Sequence, residues 1–259
     1  MNDPHVETLF YRVEHSPFVI YETVQSCERE LPECRIKIER DQAIVEPKGH
    51  FSTAEEARAV VEPFLRAWEL SAALDLDDPE VLRFVHQRTQ IIDRAPGTLP
   101  GSYGEAHGHA TAHAVIAKVL DRYPAPPTGF AVNSEVKAMF DRWSRYVKHR
   151  DRLGDAANLC LTILEDSTHA TKKRRDAAAT KYTIAPEVLS QLGRLAGTKG
   201  GSLHGRKGVA VDKDYTDSEV AWLEAALKKL IRRAAEVAHG PLATRPLITM
   251  RDLPELKRA

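Results

Sequence analysis

Cysteine is scarce in this chain: there are three among 259 residues, and no two of them form a CxxC pair. That argues against a secreted disulfide scaffold and predicts a reducing cytoplasm. Cys27 and Cys34, with six residues between them, fit no common zinc spacing and read as free buried thiols. A surplus of one charge sign is also missing. The 37 Lys/Arg match the 37 Asp/Glu, so no global field recruits nucleic acid or a membrane. No apolar run approaches the length of a bilayer span, which predicts no membrane partner. The first residues, MNDPHVETLF, lack a basic stretch followed by an apolar one, so no signal peptide is expected. GxxxxGK[ST] and HExxH are absent, which removes the phosphate loop and the commonest zinc-protease motif. No internal repeat or low-complexity tract is present.

A hydrophobic fraction of 42% is enough to build a core. At this length the core belongs to one large domain or two modest ones. The first half has strand grammar. LFYRVEH and FVIYETV are β-branched and aromatic runs parted by a turn at Ser16 and Pro17. CRIKIE and AIVEP flank a polar Arg40–Asp41–Gln42 turn, which predicts a hairpin. Thr53 with Glu56 forms a capping box. After it Ala57, Val60, Val61, Phe64, Leu65 and Trp68 share one helical face. Pro63 lies inside that helix and is expected to kink it or open a second one. VLRFVHQRTQIID then returns to strand character.

EAHGHATAH, residues 105–113, follows a turn-rich stretch. As a helix it aligns only His109 and His113; as a strand, the favoured reading, it puts His107, His109 and His113 on one face and would pair with residues 81–93. Same-face neighbours on a strand stand about 6.6 Å apart, too far to share one metal without bending. An exposed polar strand face is the preferred reading, with no metal and no cofactor expected.

YPAPPTGF, residues 123–130, reads as a stiff linker between residues 1–122 and 131–259. Beyond it the grammar is helical. Asn133 or Ser134 caps a helix carrying Val136, Phe140, Trp143 and Val147. Asp155 precedes another with Ala156, Leu159, Cys160, Ile163 and Leu164. TKKRRDAAATKY is a third, basic segment, and Pro186 opens a fourth helix at its first position. Thr216 and Glu219 form a second capping box, opening a helix that runs to about His239. The apolar tail PLATRPLITMRDLPEL is expected to dock in extended form. The predicted class is α+β: an antiparallel strand-rich N-terminal domain with one amphipathic helix, then an all-helical C-terminal bundle.

The loop GTKGGSLHGRKG, between the last two predicted helices, is rich in glycine and cations. Residues 141–210 hold 14 Lys/Arg against 7 Asp/Glu, so a phosphate-facing patch is one reading and solvated surface the other. On LGRLAGTKGGSLHG the helical half resembles HEPN domains, compact helical bundles of bacterial toxin, phage-defence and RNA-processing proteins. Their signature is an Arg, a spacer of four to six residues and a His, often followed by Gly. Here His204 and Gly205 stand in place, but the cation five positions earlier is Lys199, not Arg. Arg233 with His239 is a second candidate pair. The resemblance implies metal-independent RNA cleavage by a homodimer, the setting of a defence or toxin effector. It makes His204 the acid–base group, Lys199 the phosphate cation and Glu165 the upstream acidic residue. Lys172, Lys173, Arg174, Arg175, Arg206 and Lys207 would then hold RNA backbone. The rival is a non-catalytic adaptor or assembly subunit whose helices and tail bind a partner protein.

Overall fold

A computed structural model of the chain describes residues 3–21, 26–95, 118–198, 214–240 and 245–257. The chain divides into two units, Met1–Pro127 and Thr128–Ala259. The first holds β1 (Pro4–Glu14), β2 (Val19–Tyr21), β3 (Cys27–Glu30), β4 (Cys34–Glu39), β5 (Gln42–Pro47), α1 (Ala54–Leu76), β6 (Arg83–Asp93) and β7 (Lys118–Leu120). Five of these strands form one antiparallel sheet in the order β3-β4-β5-β1-β6.

Register decides which side chains share a face, because directly paired residues point the same way. Leu9 pairs with Val45 and Val45 with Ile36; Tyr11 pairs with Ala43 and Ala43 with Ile38. All six are at most 1% exposed. α1 packs against β1 and β6 and buries Ala57, Val61, Leu65 and Trp68. The capping box is formed: Thr53 accepts from the Glu56 amide, and Glu56 accepts from the Thr53 amide. The helix runs through exposed Pro63 without a break in its assignment, so no second helix opens there. Trp68 donates its indole N–H to Pro124 O at 2.9 Å, which satisfies the one polar atom of a fully buried ring. The opposite face carries Phe10, Ile44 and Lys37 in one row and Glu46 and Arg35 in the next. There the Arg88 guanidinium lies 3.8 Å from the centre of the Phe10 ring.

The expected hairpin joins β4 and β5. Glu39 pairs with Gln42, leaving Arg40 and Asp41 as a two-residue loop with φ of 44° and 50°. Positive φ at both positions matches the right-handed twist of the flanking strands. The run FVIYETV behaves differently from its neighbours. Val19–Tyr21 leaves the main sheet and pairs in parallel with Lys118–Leu120.

The second unit contains α2 (Ser134–Val147), α3 (Leu153–Asp166), α4 (Arg174–Tyr182), α5 (Pro186–Thr198) and α6 (Asp217–His239). Asn133 is the cap of α2 and accepts from the Val136 amide at 2.8 Å. Thr216 and Glu219 close the second capping box. Asp155 does not precede α3: it sits in the first turn of a helix that begins at fully buried Leu153. Its carboxylate there complements the positive end of the helix dipole. Trp143, Cys160, Leu164, Leu189, Leu192, Leu195, Trp222, Leu227 and Leu230 make the core. The tail adds one parallel bridge, Ile184 to Ile248, then a short 3-10 turn at Met250–Asp252. Ile248 and Leu253 are buried, so the apolar tail docks as its composition suggests.

Candidate functional site

The α3–α4 corner is where the helical unit gathers charge. A run of Thr168, His169 and basic residues would splay in isolation, so the corner needs ties. Ser167 Oγ donates to Leu164 O at 2.8 Å and meets Tyr182 Oη at 2.7 Å. Lys181 Nζ donates to Ser167 O at 2.9 Å. His169 and Lys173 take left-handed backbones, with φ of 54° and 49°, and turn the chain into α4.

Two of the four clustered cations are consumed by carboxylates from the end of α3. Arg174 pairs with Asp166. Arg175 Nε donates to Glu165 Oε1 at 2.9 Å. Glu165 is 17% exposed and Arg175 40% exposed, so the carboxylate is the sheltered partner. The Arg175 guanidinium also lies against α5. A Cβ on Gly193 would stand 3.1 Å from Nη2, 3.2 Å from Nη1 and 3.1 Å from Leu161 Cδ2, so glycine lets the guanidinium lie close to the helix backbone. Lys172 and Lys173 are exposed, with no partner among the described residues.

Structure thus joins Glu165 to Arg175, a pairing that a charge count along the chain does not reveal. The signal that points to it is Gly193 itself. A glycine inside a helix costs about 1 kcal/mol relative to alanine, which calls for a packing reason. Lys199, His204, Arg206 and Lys207 lie outside the described residues, as does the EAHGHATAH segment. Among the described residues no group of three His, Cys, Asp or Glu is arranged to hold a metal. No helix among them is long and apolar enough to cross a membrane.

The second Arg–His candidate has another job. Arg233, only 4% exposed, donates to Tyr182 O (2.8 Å), Thr183 O (2.9 Å) and Pro246 O (2.7 Å), and through Nε to Glu236 (2.8 Å). Four of its five N–H donors are spent on the fold, and its burial leaves it no open face for a phosphate. His239, by contrast, is exposed at the end of α6.

A polar cluster at the end of the first unit escapes any local motif. His5 is 5% exposed, stacks on His50 at 5.1 Å between ring centres, and leaves Nδ1 without a partner. His50 Nε2 meets Asp3 Oδ1 at 3.2 Å. Burial, then the nearby Arg94 and His50, hold the His5 pKa below the ordinary imidazole value.

No protein-family model, no curated protein and no solved structure matches this chain.

Proposed function

We propose that the helical unit binds the RNA backbone and cuts it without a metal, as a HEPN-like nuclease. The observation that carries this reading is the Glu165–Arg175 pair lying against α5. That helix ends at Thr198, one residue before Lys199 and six before His204. The chemistry suits these residue types. An RNA 2′-hydroxyl attacks the adjacent phosphate, and an imidazole that titrates near neutral pH moves the proton. Cations hold the charge that grows on the phosphorus oxygens. Lys199 supplies charge at one point; it does not supply the planar fork of a guanidinium. Exposed Lys172 and Lys173 contact backbone rather than bases. A homodimer through the helical unit, and the role of a defence or toxin effector, belong to the same reading.

Incubation of the purified chain with mixed RNA in EDTA, beside His204→Ala, tests it. The expected result is cleavage by the wild type alone, leaving 2′,3′-cyclic ends. Equal cleavage by His204→Ala would sink the assignment.

A non-catalytic adaptor is the second reading, and one observation favours it. Phe18, Ile20 and Val119 are 56%, 40% and 58% exposed. Ile20 and Val119 are register partners in the β2–β7 ribbon, and Phe18 lies two residues before Ile20. A partner protein would cover such a patch. The mass of the chain in solution, alone and after co-purification, separates this reading from a self-sufficient nuclease.

A further inference from the structure

We infer that Arg175 holds the RNA phosphate through its guanidinium fork. The inference rests on the RNA-binding reading of the helical unit. Three observations support it. The guanidinium is fixed rather than waving: Nε is tied to Glu165 on α3, and the terminal nitrogens rest against bare α5 backbone at Gly193. Those nitrogens, Nη1 and Nη2, have no acceptor among the described residues. Arg175 therefore keeps donors to spare, in contrast to buried Arg233, four of whose five donors go to backbone carbonyls and Glu236. A guanidinium held this way is a preorganised fork, and phosphate oxygens are the acceptors that match its geometry. Glu165 is then a positioning residue: it orients Arg175 and does not touch RNA.

The neighbourhood agrees in sign. Lys172 and Lys173 precede Arg175 on an exposed approach and carry no partner among the described residues. Arg174 is paired with Asp166 and Arg175 with Glu165, so Lys172 and Lys173 carry the net positive charge of this approach and Arg175 contributes its free terminal donors. The ligand class is a phosphodiester of single-stranded RNA, held by its backbone.

The test is fluorescence anisotropy of a labelled single-stranded RNA with the full-length chain over a salt series. Wild type binds, and log K falls linearly with log salt. Arg175→Ala weakens binding about tenfold and reduces the salt slope by about 0.7, the contribution of one single-strand phosphate contact. Arg175→Lys retains the wild-type slope but binds more weakly, because a point charge replaces the fork. If Arg175→Ala melts early, Arg175→Lys decides, and wild-type affinity in it overturns the fork. Wild-type affinity and slope in a folded Arg175→Ala overturn the inference and leave the RNA reading standing. Failure of the wild type to bind at low salt overturns both.

Discussion

Arg40 and Asp41 bear left-handed backbones without being glycine or asparagine, and both pay for it sterically. Asn at the first position and Gly at the second suit this loop far better. Arg40→Asn combined with Asp41→Gly should raise stability by about 1 kcal/mol, read as a higher urea midpoint at unchanged slope. An unchanged midpoint would mean that the two side chains stabilise the loop in some other way. Sequence shows a polar turn here, and the structure adds the handedness, which only the pairing of Glu39 with Gln42 defines. Burial likewise decides two of the three thiols, whereas Cys27, expected to be buried, is only half-buried at the start of β3. Burial pushes Cys160 up to about 12 and Cys34 up to about 11, far from reactive values. The candidate site was partly legible at this scale. Glu165 stands out as an acid at a helix end, but its bond to Arg175 depends on how α3 and α4 fold back on each other.

Among the helices, local signals were read well where the cause is local. The Thr53–Glu56 and Thr216–Glu219 boxes and the Asn133 cap each sit within four residues of the amides they satisfy. Arg233 shows the opposite case. Its carbonyl partners at Tyr182 and Thr183 are 51 and 50 residues away, and no spacing rule reaches that far. Through it α6 grips the α4–α5 junction and the tail at once. Arg233→Met keeps much of the volume and removes the donors. It should cost about 2–4 kcal/mol, because buried carbonyls lose partners. Native-state proteolysis would then cut within residues 245–257 faster than in the wild type. Equal protease resistance would show that Ile248 and Leu253 hold the tail without help.

Across the whole molecule, strand grammar gives way to helix grammar near the proline-rich stretch, and the contact pattern divides the chain at Pro127 and Thr128. Charge balance at this scale predicts how stability responds to acid. His5 and His86 both hold pKa values below the ordinary 6.5, chiefly through burial and then through nearby cations such as Arg94 and Arg58. The unfolded chain therefore binds more protons than the native one once pH drops below about 6.5. Their contribution is present above that value and is lost as pH falls toward the native pKa values. Urea midpoints should decline as pH falls below about 6.5, and His5→Gln with His86→Gln should flatten that decline. The lowered carboxyls of Glu30 and Asp252 act in a separate window, with stability lost only below about pH 4.5. The β2–β7 ribbon follows a different clock. Its two three-residue strands lie about a hundred residues apart in the chain, so a long loop must close before three pairs can form. The β4–β5 hairpin, closed by two residues, is therefore expected to form before the ribbon. Native-state hydrogen exchange should in turn show the Val19–Tyr21 amides exchanging faster than those of the five-stranded sheet.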